Sequence, residues 1–247
     1  MSGPPRATIK KNVSKFDDDV RQTGSYAYTS DRLSSRLANA AISRAVAEAN
    51  DWKGKRVLDI GCGDGTYTLE FPGLGVAEVV GIDPTEVAIE AGQAKARNAG
   101  LTGEIRFEVG NIYELGSLLD EGRFDCIVLR GVLHHLPDAE RAIAALSGFK
   151  GTIVILEPNG YNPVLKILEK VSRYHIEHEE RSFSPRSIRA WLTGSGFHDV
   201  SSRVINLVPY FCPDWMAKGL KLIEPVIESL PVIRSFSCGQ VVIVAEH

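Results

Sequence analysis

Between Val57 and Thr66 the chain reads Val-Leu-Asp-Ile-Gly-Cys-Gly-Asp-Gly-Thr. A run of branched residues entering a glycine-rich turn that opens a helix is a place where a ligand can approach bare backbone, which a Cβ would block. Asp59, Gly61, Cys62, Gly63 and Gly65 fall there. A dinucleotide fingerprint, G-x-G-x-x-G, would need a third glycine at position 66; that residue is Thr66 and the glycine comes one residue early, which points away from NAD. One strand–helix–strand unit later come Asp83 and Pro84, where a carboxylate can accept both hydroxyls of an adenosine ribose. After a third branched run, Asn111 offers an amide to an adenine edge and Ile112 an apolar side chain to its face. Three consecutive run ends thus describe a nucleoside pocket.

A fourth run leaves through Arg130-Gly131-Val132-Leu133-His134-His135-Leu136-Pro137. A histidine here can take a proton from a hydroxyl near neutral pH, with His135 the first candidate for a catalytic base and His134 the second. The alternative is that one of them packs on the following helix. After the fifth run come Glu157 and Asn159, then His175 and His178 with Glu179. The two histidines stand three apart, with Glu179 four beyond His175, so one helical face could present metal ligands. A solvated, mixed-charge helix end is the commoner outcome, and no metal is expected. Glu157, Asn159, His175 and His178 are instead expected to line an acceptor pocket, although Glu157 could equally cap a strand end. Near the N-terminus, Tyr26 and Tyr28 could close over a ligand and exclude water, or simply pack the first helix.

These residues need a frame. Arg56–Ile60, Glu78–Ile82, Ile105–Val109, Phe124–Arg130 and Gly151–Glu157 read as buried parallel strands. Helical patterns separate them over 66–71, 86–98, around Ser117 and over 139–146, which predicts an α/β, doubly wound sheet with helices on both faces. A helix over 31–50 capped by Ser30 precedes this, and one beginning at Ser184-Pro185 and stopping at Gly194 and Gly196 follows it. Two late strands, 200–208 and 240–245, enclose a helix over 214–229. There Leu220, Ile223, Val226, Ile227 and Leu230 form one apolar face. Core packing is its default fate, with an acceptor lid, a dimer interface or a membrane-surface contact as alternatives. The organisation expected is one domain, 1–247: a helical cover over 1–50, a cofactor-binding core over 51–157, and an acceptor-side elaboration over 158–247 with an insertion near 209–230.

With 247 residues, 44% of them hydrophobic and 24% charged, there is enough apolar surface for an ordinary core, which excludes disorder. Lys+Arg 28 against Asp+Glu 31 gives a net charge of -3, which disfavours a nucleic-acid partner. Cys62, Cys126, Cys212 and Cys238 lie far apart without metal-binding spacing and read as reduced thiols. No run approaches the roughly 18 apolar residues of a membrane span, and the first residues lack the apolar stretch of a secretory signal. The expected compartment is the cytoplasm.

The segments VLDIGCGDG, VVGIDP, VGNIYEL and FDCIVLRGVLHHLPD, between about Lys55 and Leu156, resemble the class I S-adenosylmethionine-dependent methyltransferases. SFSPRSIRAWLTGSGF extends the likeness toward small-molecule members. The resemblance implies a Rossmann-like, seven-stranded sheet whose last strand is antiparallel, with S-adenosyl-L-methionine as donor and S-adenosyl-L-homocysteine as product. It implies that Asp59, Gly61, Gly63 and Gly65 hold the methionine part, Asp83 the ribose, and Asn111 with Ile112 the adenine; Cys62, Pro84 and Arg130 complete the cofactor residues. Many members carry Asp where this chain has Asn111. Ubiquinone-pathway O-methyltransferases show two glutamates and a histidine after the fourth strand; Arg130 and His134 replace the glutamates and only His135 matches, which weakens a Mg²⁺ role. The N/P-P-Y/F signature of amino-group and DNA methyltransferases is absent.

The expected activity is methyl transfer to a small or medium metabolite at oxygen, by in-line displacement. C- or N-methylation of a natural product or lipid-linked acceptor, or a non-catalytic nucleoside-binding module, are the alternatives. Thr66 opposes an NAD-dependent oxidoreductase, and no basic stripe supports a tRNA methyltransferase. The expected partner is a small-molecule acceptor, with no nucleic acid, no stable membrane insertion but room for peripheral contact, and a monomer or homodimer as the assembly.

Overall fold

The structure, a computed structural model, describes residues 31–172, 181–210 and 212–247. Tyr26, Tyr28, His175 and His178 lie outside the described residues, as does Ser30. Five strands, β1 (Arg56–Ile60), β2 (Glu78–Asp83), β3 (Ile105–Val109), β4 (Cys126–Arg130) and β5 (Thr152–Pro158), run parallel. β6 (His198–Ile205) and β7 (Gln240–Glu246) complete one sheet in the order β3-β2-β1-β4-β5-β7-β6, and β7 is antiparallel to both of its neighbours. The central runs are short, branched and almost wholly buried, as strands covered on both faces must be. The strand order reverses between β1 and β4, so a crevice opens at their carboxyl ends.

Successive residues serve opposite faces. Leu58 packs with Leu133, Ile143 and Leu192 under α3 (Gly116–Gly122), α4 (Ala139–Ala144) and α6 (Pro185–Gly194). Val57 packs with Ile42, Trp52, Phe71 and Phe107 under α1 (Leu33–Ala47) and α2 (Glu86–Ala99). Each fully buried aliphatic or aromatic side chain contributes roughly 1.5–3 kcal/mol. Trp52 also donates its indole N–H to Val46 O and Ala47 O, both at 3.1 Å, satisfying carbonyls that the end of α1 leaves open.

Helix signals in the sequence act locally. Ser184 Oγ accepts from Ser187 N at 3.0 Å with Pro185 at the first helical position. α2 ends on Gly100 at φ +70, whose N–H reaches back to Ala96 O and Arg97 O. The helix expected over 66–71 is instead a 3₁₀ segment, Thr68–Leu74, because Pro72 inside it has no N–H to donate. Two helices were not anticipated. α5 (Pro163–Val171) starts on Asn162, whose Oδ1 accepts from Val164 N at 2.9 Å, and α8 (Pro231–Ser237) follows α7 (Asp214–Ser229) across Leu230.

The apolar face expected on α7 goes into the core only in part: Ile227 packs against it and Leu220 is half-buried. Ile223, Val226 and Leu230 are exposed, while Glu224 is turned inward. The reason is a polar demand: Glu224 Oε2 accepts from Leu207 N at 3.1 Å and Glu228 Oε1 from Asn206 N at 2.8 Å, where the chain leaves β6. Buried backbone amides there need acceptors, and α7 supplies them.

Candidate active site

Gly61, Gly63 and Gly65 stand at φ +71, +53 and +73, the left-handed region that only glycine enters freely. Space demands glycine as well. A Cβ on Gly61 would lie 2.6 Å from Val132 Cγ2, and one on Gly65 2.5 Å from Phe107 Cζ. The N–H groups of Gly61 and Cys62 both donate to Ile82 O, at 2.8 and 3.0 Å, which fixes the turn against the end of β2.

Asp83 closes the turn from that side. Its Oδ2 accepts from Gly63 N and its Oδ1 from Thr85 N, both at 3.0 Å, with the residue 9% exposed. One carboxylate therefore shapes the glycine turn and starts α2. Pro84 beside it is exposed. Asn111 Oδ1 accepts from Tyr113 N at 3.1 Å in a local turn. Ile112 is 4% exposed and belongs to the core under α3 and α4, so the structure spends it on packing rather than on an open wall.

At the carboxyl ends of β1 and β4, between α1 and the 3₁₀ segment, lies a cavity of ≈ 290 Å³. Asp59, Gly61, Cys62 and Arg130 line it together with Ser43, Tyr67 and Glu70, which the sequence did not single out. Asp59 is 5% exposed and accepts from Thr68 Oγ1 at 2.6 Å. Burial pushes its carboxyl up from 3.8 to about 6, against the opposing pull of Thr68 and Arg130. The Arg130 guanidinium lies 3.4 Å from the Tyr67 ring centroid and donates to Ser43 Oγ at 3.2 Å. Its Nη2 is buried without a hydrogen-bond partner among the described residues. A carboxylate and a guanidinium on one cavity, beside a bare glycine turn, suit a ligand with a zwitterionic amino-acid end, so the residues present fit S-adenosylmethionine.

Across the crevice, Glu157 at the end of β5 is completely buried. Its Oε1 accepts from Val132 N and Leu133 N, both at 2.7 Å, and its Oε2 from His134 N at 3.3 Å. The same Oε2 lies 2.8 Å from His134 Nδ1. Glu157 is thus the cap of the β4 exit and the holder of His134; its oxygens are not turned to an acceptor pocket as expected. Facing a carboxylate, Nδ1 is placed to donate to it. The ring of His135 stacks 3.8 Å from that of His134, tilted by 44°. Asn159 also departs from the expected acceptor contact. It is fully buried, and its Nδ2 donates to Ser235 O at 2.8 Å and Cys238 O at 2.9 Å, fastening β5 to α8. Among the described residues no three of His, Cys, Asp or Glu are grouped to share a metal ion.

A family of methyltransferase domains matches residues 51–193. The ubiquinone biosynthesis O-methyltransferase of Coxiella burnetii is 29% identical over 151 residues, 61% of this chain and 59% of that protein. A ubiquinone/menaquinone biosynthesis C-methyltransferase of Pasteurella multocida is 27% identical over 128 residues, 50% of this chain and 46% of that protein. Across such relatives the aligned stretch spans from 22% to 59% of the relative's length. Among solved structures, a geranyl diphosphate C-methyltransferase from Streptomyces coelicolor superposes with a TM-score of 0.68 at 16% identity, covering 99% of each chain. The [4+2]-cyclase SpnF superposes at 0.67 and 19% identity, covering 96% of this chain and 93% of that one. At such identities the likeness is one of fold, and the cyclase shows that the fold by itself does not fix the reaction. The sequence match covers more than half of the chain, and a glycine turn lies at the switch point of a 3-2-1-4-5-7-6 sheet: the chain belongs to the methyltransferase-domain family, the class I S-adenosylmethionine-dependent methyltransferases.

Proposed function

We propose that the protein methylates a hydroxyl of a small or medium-sized acceptor, with His134 as general base and Glu157 as its positioning residue. The observation that carries this reading is the buried Glu157 carboxylate 2.8 Å from His134 Nδ1. S-adenosylmethionine, when bound, supplies an electrophilic methyl group on a sulfonium, displaced in line. On this reading Asp59 takes the donor's ammonium and Arg130 its carboxylate, the glycine turn admits its backbone-hugging middle, and Asp83 receives the ribose. Asn111 meets the adenine. His134 Nε2 takes the acceptor proton, and Glu157 stabilises the imidazolium so formed. The sequence favoured His135; the carboxylate partner supports His134 as the base on this reading, with the His135 ring stacked beside it.

Relatives named for methylation at oxygen and at carbon support an acceptor that must lose a proton, which a histidine base serves in both cases. A carbon acceptor is therefore the second reading. The test is S-adenosylhomocysteine formation with a panel of phenolic and enolic acceptors, comparing His134→Gln with the parent. Loss of roughly 10²–10⁴-fold in kcat with the same affinity for S-adenosylhomocysteine, and loss of the limb of the pH profile near the histidine range, is the expected result. Undiminished turnover would leave alignment alone as the mechanism.

A further inference from the structure

Arg130 ends β4, and its guanidinium is held by residues of two other elements. One face of it lies 3.4 Å from the centroid of the Tyr67 ring. Nη1 donates to Ser43 Oγ at 3.2 Å and to Glu70 Oε2 at 3.4 Å. Ser43 Oγ in turn donates to Glu70 Oε1 at 2.9 Å, so α1 and the 3₁₀ segment close a ring of contacts around this one nitrogen. Nη2 differs: it is buried and has no acceptor among the described residues. Ser43, Tyr67, Glu70 and Arg130 line the same cavity as Asp59.

These contacts differ in weight. The Glu70 side chain is 44% exposed, and water screens an ion pair of that kind. The ring contact is better shielded. Burial is the main cause that pushes the Tyr67 phenol up to about 12, so the guanidinium meets the face of a neutral ring and not a phenolate. A planar guanidinium stacked on a planar ring keeps its N–H groups in one plane, which an ammonium on a flexible stem cannot do. With Nη1 engaged and one face covered, Nη2 is the nitrogen left for a ligand. A buried donor without an acceptor is costly, and a carboxylate is the acceptor that relieves it best.

We infer that Tyr67, aided by Ser43, is the positioning residue that holds Arg130 for the donor's carboxylate, and so makes the site select donors that carry one. The inference rests on the assignment of Arg130 proposed above. Calorimetry on the full chain compares S-adenosylhomocysteine with S-adenosyl-3-thiopropylamine, which keeps the ammonium and lacks the carboxylate. The ratio of the two affinities reads the carboxylate contact alone, whereas a loosened glycine turn would weaken both ligands alike. The parent should favour S-adenosylhomocysteine at least about tenfold. Tyr67→Leu should lower that preference at least about fivefold and Ser43→Ala about threefold, while Tyr67→Phe, which keeps the ring, should match the parent. Arg130→Met should abolish the preference, and Tyr67→Leu added to it should change the ratio no further. A preference that survives Arg130→Met would sink the assignment of Arg130, and this inference with it. If Arg130→Met abolishes the preference but Tyr67→Leu keeps the parent ratio, or weakens both ligands equally, the ring only packs there and the inference alone is overturned. Should Tyr67→Leu lose the parent's circular dichroism, Ser43→Ala decides by the same ratio, and a value equal to the parent's overturns the inference.

Discussion

Asp59 shows how a ligand-ready group weighs on the fold that carries it. A carboxyl raised from 3.8 to about 6 in the native state holds its proton longer than the unfolded chain does. Below about pH 4 both states are protonated and nothing is lost; between about pH 4 and 6 stability falls, and above that the loss is constant. The difference corresponds to about 3 kcal/mol as an upper figure. Asp59→Asn should therefore be more stable than the parent above pH 6 and equal to it near pH 4, by urea unfolding across that range, while binding S-adenosylhomocysteine more weakly. Glu157 works the opposite way, since it is completely buried and has four donors converging on it. Glu157→Gln turns an N–H₂ toward some of those donors. It should cost about 2–3 kcal/mol, seen in calorimetry as a Tm lowered by roughly 5–10 °C, together with the turnover defect of His134→Gln.

The glycine turn is held by a neighbouring strand as much as by its own sequence. Phe107 on β3 is 6% exposed, and its ring fills a slot cut by glycines of three elements. A Cβ on Gly65, Gly81 or Gly92 would fall 2.5, 2.8 or 3.1 Å from that ring. Phe107→Ala should cost about 3–5 kcal/mol and weaken S-adenosylhomocysteine binding as the turn loosens, with Phe107→Leu losing less than half as much in both measurements. If affinity survived the loss of the ring, the turn would be rigid without it. The same coupling explains Asp83, whose two oxygens serve the turn and the start of α2 at once.

Across the molecule, chain segments far apart in sequence close the cavity. α1 contributes Ser43 to Arg130, and Ser34 and Ser35 donate to Tyr210 O at 2.6 and 3.0 Å, binding the first described helix to the stretch after β6. Arg203 on β6 reaches Glu48 at 2.8 Å. We propose a single-domain organisation on these ties: the strands before and after residue 157 form one sheet, and α1 packs into one of its two core layers. Unfolding in urea should then give coincident transitions by tryptophan fluorescence and far-ultraviolet circular dichroism. Two separated transitions would divide the chain into independent units.

The strands, the glycine turn and the carboxylate of β2 were legible in the sequence because their signals are local. A short branched run bounded by turn residues favours a buried strand, a bare turn needs glycine, and Ser184 with Pro185 supplies an N-cap and a first helical residue. β1 and β3 run over the residues expected of them, and α2 differs by one residue at its end. What the sequence could not decide were the pairings made across the fold. Nothing near His134 in sequence distinguishes it from His135; the contact that does, and on which the proposed base rests, is with Glu157, which β5 brings alongside β4. Ser43, Tyr67 and Glu70 reach the cavity only because α1 and the 3₁₀ segment meet above the switch point. α7 had the period of a buried helix, yet Ile223, Val226 and Leu230 of its expected face are exposed while Ile227 packs on the core, because amides after β6 drew its glutamates inward. Local pattern determined which elements form, and hydrogen-bond demand between distant segments decided which of their faces and side chains do the work.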